Sequence, residues 1–171
     1  MQCDGDDKAD VEHRLNIAQS TFSSLSHIWS DHRLSTTMKI RLYQTAVCST
    51  LTHACEAWNL TDEVKRKING FNSRCLHVIT KKHYSDEARN PKYDVLSAIC
   101  KRRLRFLGHI RRMNQDRLLR QTLFAYLHDV DSRPAGSLLH GCEKVPLEEL
   151  VARANDRKAW RQFVNRFSLR C

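Results

Sequence analysis

Val11-Glu12-His13-Arg14-Leu15-Asn16-Ile17-Ala18-Gln19-Ser20-Thr21-Phe22-Ser23-Ser24-Leu25-Ser26-His27-Ile28-Trp29 places apolar side chains at 11, 15, 18, 22, 25 and 29. The steps of four and three residues decide the fold class. At 3.6 residues per turn these six positions form one stripe on a helix. The period-two alternation of a half-buried strand fails at the first pair. The stretch predicts an amphipathic helix closed by the polar break Ser30-Asp31-His32-Arg33.

The same period recurs outward from it. Residues 1–9 read as an acidic, disordered lead-in, with Asp4, Asp6 and Asp7 against Lys8. Ser35 can cap a second helix with a broad apolar face, Leu42/Tyr43, Ala46/Val47, Thr50/Leu51 and Ala54. Thr61-Asp62-Glu63 opens a third, carrying Val64, Ile68, Phe71, Cys75 and Val78. Asn90-Pro91 reads as a cap with proline in the first turn. Beyond it Val95/Leu96, Ile99, Arg103/Leu104, Leu107 and Ile110 run through one long helix or two coaxial ones. Gly108 marks a kink or a close contact there. Leu118–Leu127 predicts a short helix, and residues 129–146 a linker with its turn formers at Asp131–Ser137. Residues 147–171 give a C-terminal helix and tail, with Leu147, Leu150, Ala154, Trp160 and Val164 turned inward. The expected architecture is all-α: an irregular bundle of five to six helices, with residues 10–128 as a single helical domain.

Composition agrees. Only 5 Gly and 3 Pro punctuate 171 residues, whereas sandwiches and barrels need turns about every 8–12. No apolar run approaches the roughly 18 residues of a membrane span. The first residues carry no basic or apolar signal region, and seven cysteines stand at scattered positions. Free thiols in a reducing compartment, nucleus or cytoplasm, are the expectation. The net charge of +10 then makes nucleic acid the default partner.

That charge is concentrated. Lys101, Arg102, Arg103, Arg105, Arg111, Arg112, Arg117 and Arg120 face Asp116 alone across residues 101–120. Guanidinium matches phosphate oxygens bidentately, which points to phosphate contact. Arg102, Arg105, Arg111 and Arg112 are the candidate nucleic-acid-binding residues, with Lys65, Arg66 and Arg74 of the third helix in support. Phe106 and His109 interleave and could stack on unpaired bases. The competing reading of such a run is a solvated face whose arginines cover apolar surface.

Other chemistry finds little support. His53-x-Cys55, Cys75-x-His77 and His140-Gly-Cys142 lack zinc-module spacing, and residues two apart on a helix diverge by about 200°. There is no nucleophile elbow, phosphate-cradling loop or carboxylate cluster. No catalytic residue, metal or cofactor is expected.

A family resemblance adds to this. Met38-Lys39-Ile40-Arg41-Leu42-Tyr43-Gln44-Thr45-Ala46-Val47, Thr50-Leu51 and Glu56-Ala57-Trp58 resemble a thumb segment reading Thr-Lys-x-x-Leu-x-x-x-x-Val, then Leu-x-Tyr-Gly-x-Glu-x-Trp. Phe71-Asn72-Ser73-Arg74-Cys75-Leu76-His77-Val78-Ile79 is similar to Phe-x-x-Arg-Cys-Leu-Arg-x-Ile. Arg103-Leu104-Arg105-Phe106-Leu107-Gly108-His109-Ile110-Arg111-Arg112-Met113 resembles Arg-Leu-Arg-Trp-x-Gly-His-x-x-Arg-Met. Ala154-Asn155-Asp156-Arg157-Lys158-Ala159-Trp160-Arg161 resembles Ala-x-Asp-Arg-x-x-Trp-Arg. These motifs, in this order over nearly the whole chain, belong to the thumb and C-terminal region of non-LTR (LINE-type) retrotransposon reverse transcriptases.

The resemblance implies a grip on RNA or RNA–DNA duplex through phosphates, read by shape. It implies no polymerase activity here, because the palm's Tyr/Phe-Ala-Asp-Asp carboxylates and the endonuclease are absent from these residues. A palm domain acting in trans and self-association are further partners it leaves open; no membrane partner is expected. The alternative is a degenerate helical fragment that binds no nucleic acid and acts at most in protein interaction. Two departures stand out: His53-Ala54 where the family has Tyr-Gly, and Arg133–His140 where it has a strongly basic stretch.

Overall fold

A computed structural model describes residues 7–81, 94–125 and 147–167. The fold is all-α, and the described residues contain no strand. Helices α1 (Asp7–Ser24), α2 (Ser26–Ser30) and α3 (Thr36–Leu42) lead into a π-helical turn, Tyr43–Cys48, and a last turn α4 (Ser49–Leu51). A 3-10 turn, Cys55–Ala57, precedes α5 (Asp62–Thr80) and α6 (Val95–Arg111). Then come α7 (Leu118–Ala125), α8 (Leu147–Ala154) and α9 (Arg157–Arg166). The chain separates into two compact units, Met1–Ala54 with Thr61–Leu96, and Cys55–Leu60 with Ser97–Cys171. The expected domain over 10–128 is therefore shared between them. The expected Asn90-Pro91 cap and the 129–146 linker lie outside the described residues.

In the first unit α1 packs on α4, the π turn and α5, and α2 and α3 pack on α5. Val11, Ala18, Phe22 and Trp29 of the opening stripe are buried, as are Ile40, Tyr43, Val47, Leu51, Val64, Ile68, Phe71 and Cys75. Phe22 stacks on Trp29 at 5.1 Å and meets Tyr43 edge-on at 6.1 Å. The first expected helix is broken at Leu25. The Trp29 indole N–H donates to Phe22 O at 2.8 Å, a carbonyl that an unbroken helix would offer to residue 26. Ser24 Oγ also donates to Thr21 O at 2.8 Å.

The second expected helix widens into the π turn. Hydroxyls bond back along it, Thr45 to Arg41 O at 3.0 Å, Thr50 to Ala46 O at 2.8 Å and Thr52 to Cys48 O at 2.8 Å. Tyr43, Val47 and Leu51 of the expected face stay buried through the π turn, while Thr52 is buried and Ala54, beyond the end of α4 with φ 60°, is exposed where the expected face turns it inward. In α5 the repeat drifts, so Ile79 is buried and Val78 is 48% exposed. The lysine Lys39 is buried too, its Nζ donating to Trp29 O at the end of α2 at 2.8 Å.

In the second unit Cys100, Leu104, Leu107, Ile110, Leu150, Ala154, Trp160 and Val164 form the core, with Phe106, Met113, Phe163 and Phe167 packed against it. Gly108 is a close contact. A Cβ there would lie 2.1 Å from Trp160 Nε1, and the same N–H donates to Leu104 O at 3.1 Å. The C-terminal helix is two helices. Asp156 interrupts it, its carboxylate accepting from Lys158 N at 2.8 Å as the cap of α9.

Candidate functional site

The basic block of residues 101–120 divides by direction. Arg103 takes an inward position on α6, 0% exposed, and its Nε donates to Cys55 O at 3.3 Å. It is a core residue. Lys101 Nζ donates to Asn165 O at 3.3 Å, and Arg112 Nη1 to Ala154 O at 2.7 Å. Each of these two cations sits at a helix C-terminus, α9 and α8 respectively, where carbonyls lack intrahelical partners and the dipole favours positive charge. Burial, and next the charge of Arg157, depress the pKa of Arg112 below the usual arginine range. Arg120 Nη1 bonds Met113 O. Much of what reads as a ligand-binding run thus holds backbone carbonyls.

What remains on the solvent side is a narrower stripe. Arg102, Arg105, His109 and Arg112 follow at steps of three and four, opposite Ile99, Leu104, Leu107 and Ile110. Arg105, His109 and Arg112 are exposed, and Arg102 and Arg111 partly so. From Arg102 to Arg112 the stripe runs about 15 Å along the axis. Phe106 packs against the core, which leaves His109 as the exposed ring of this stripe.

The supporting set lies in the first unit. Lys65 pairs with Asp62 at 3.2 Å, and Arg66 Nε reaches Asp62 O at 3.4 Å. Arg66 and Arg74 are exposed and border an open cleft of about 390 Å³ beside α1. Lys67 stands with them on α5; Glu12, Asn16 and Gln19 of α1 form the other wall, with Leu15 and Phe71 beneath. Lys67 bonds Glu12 at 2.5 Å and Glu63 at 3.4 Å, and Glu63 bonds Lys8 at 3.0 Å. The hydrogen bonds to Glu12 and then Glu63 raise the Lys67 pKa. Sequence reasoning missed Asn16 and Gln19. Their only signal is the spacing 12, 16, 19, one polar line beside the apolar stripe of α1.

Among the described residues no three His, Cys, Asp or Glu side chains converge as metal ligands would. None of the described helices is long and apolar enough to cross a membrane. No protein-family model, curated protein or solved structure matches the chain.

Proposed function

We propose that this chain is a nucleic-acid-binding module of the kind found as the thumb of non-LTR retrotransposon reverse transcriptases, contacting RNA or RNA–DNA duplex through phosphates and catalysing nothing itself. The observation that carries this reading is the solvent-facing side of α6, where Arg105 is exposed and Arg102 partly exposed after the buried Arg103 and the carbonyl-bound Lys101, Arg112 and Arg120 are set aside. Arg111 flanks the stripe, and Arg66 and Arg74 add cations in the first unit. Lys65 contributes less, being held by Asp62.

The contacts among the motif residues support the family assignment. Gly108 of the Gly-His block packs on Trp160 of the closing block, and Arg103 bonds Cys55, next to the Glu56-x-Trp58 element. Ala54, which stands where the family has glycine, has φ 60°, the left-handed conformation that glycine suits.

Salt-dependent binding tests the reading. Three arginine–phosphate contacts to a single strand give log K against log salt a slope of about −2. Arg102→Gln with Arg105→Gln is expected to reduce that slope by about 1 to 1.5 while leaving helical content intact. Fluorescence anisotropy showing no binding, or affinity indifferent to salt and to this pair, overturns the proposal and favours the non-binding fragment.

A further inference from the structure

Two glycines lie inside long helices here, each costing about 1 kcal/mol of helix propensity relative to alanine. The tight packing of Trp160 accounts for Gly108. Nothing comparable accounts for Gly70. A Cβ there would meet only Arg74 Nη1, at an ordinary 3.7 Å. What the missing side chain does is keep the α1–α5 cleft open, since Gly70 lines it between Arg66 and Arg74.

From this geometry we infer that the α1–α5 cleft is a binding site for one unpaired nucleotide, an inference that rests on the nucleic-acid reading above. The three residues at 66, 70 and 74 share one face at steps of four. The two arginines leave the helix about 12 Å apart along the axis on either side of Gly70, and the Arg74 guanidinium turns back toward the gap, 3.7 Å from where a Gly70 Cβ would lie. They take the phosphates on either side of the bound nucleotide. Asn16 and Gln19, exposed on the opposite wall, offer amides that both donate and accept, as base edges require. Leu15 and Phe71 supply an apolar floor for the base. The one carboxylate in the cleft, Glu12, is bonded by Lys67, so phosphate meets a cationic wall.

Size selects the ligand. About 390 Å³ is at the small end of ligand sites and suits a mononucleotide unit. A cleft of this volume holds one nucleotide and not a base pair, so a duplex could meet it only through its backbone. The Gly70 gap would admit a base that is out of its stack.

The test uses the full chain with labelled single-stranded homopolymers and a blunt duplex, each titrated with salt. Single strands are expected to bind about ten-fold tighter than the duplex. Arg66→Gln with Arg74→Gln is expected to remove about ten-fold of single-strand affinity and flatten its salt slope by about 1.4. Asn16→Ala with Gln19→Ala should weaken it several-fold with the slope unchanged, because amides release no counterions, and should narrow differences among homopolymers. Gly70→Leu keeps every charge, fills the cleft and should abolish the single-strand preference without lowering the melting temperature. Duplex bound as tightly as single strand, or wild-type affinity in Gly70→Leu and Asn16→Ala/Gln19→Ala, overturns the cleft assignment alone. Absence of salt-dependent binding to any of the oligonucleotides overturns the nucleic-acid reading with it.

Discussion

Ala54 has φ 60°, a conformation that costs an L-residue roughly 1–2 kcal/mol. Glycine adopts it without the Cβ clash but loses about 0.5–1 kcal/mol in chain entropy. Ala54→Gly is therefore expected to stabilise the protein by about 0.5–1 kcal/mol, read as a higher urea midpoint with unchanged m-value. The two helical glycines predict opposite signs for one substitution. Gly108→Ala drives a methyl against the Trp160 indole, 2.1 Å from Nε1, and should destabilise by about 2–3 kcal/mol. Gly70→Ala meets only Arg74 Nη1, at an ordinary contact distance of 3.7 Å, and should stabilise by about 0.5–1 kcal/mol. Equal midpoints for the two variants would contradict the packing described around Trp160.

Helix ends repeat this dependence on single groups. Thr61 Oγ1 accepts from Val64 N at 3.3 Å as the cap of α5, so Thr61→Ala should cost about 1 kcal/mol in urea denaturation. That cap was legible in the sequence, as were the helical period of α6 and most of the buried stripes, because spacing and capping chemistry are local; whether α6 was one helix or two coaxial ones was not. The breaks at Leu25 and in the π turn were not. They depend on an indole and several hydroxyls taking particular backbone carbonyls, which residue order does not reveal. The candidate site was half legible for a related reason: sequence displays how many cations α6 carries but not what each one bonds. Arg103 and Arg105, two residues apart, are the sharpest case. Arg103→Gln removes a buried donor to Cys55 O and should lower stability by about 1–3 kcal/mol, with little change in oligonucleotide affinity once folded. Arg105→Gln, on the exposed face, should do the reverse. Paired denaturation and binding titrations separate the two roles, and parallel losses in both variants would contradict the division.

Across the whole molecule, buried thiols set the alkaline limit. Burial pushes Cys48, Cys55 and Cys75 up to about 12, and Tyr43 well above the usual phenol range for the same reason, reinforced by Cys48 and Cys75. The unfolded chain releases thiol protons near pH 9 while the folded chain keeps them. Above that point the unfolded state binds fewer protons, so stability falls as pH rises. Below pH 9 the contribution is fully present; between about 9 and 12 each thiol removes up to roughly 1.4 kcal/mol per pH unit. Cys48 and Cys75 act in the first unit and Cys55 in the second, so both should weaken. Guanidinium stays charged throughout this window. Loss of oligonucleotide binding on raising the pH should therefore coincide with loss of helical circular dichroism, in buffer containing reductant. Binding that fades near pH 10 while the helices persist would assign the grip to lysines rather than to Arg66, Arg74, Arg102 and Arg105.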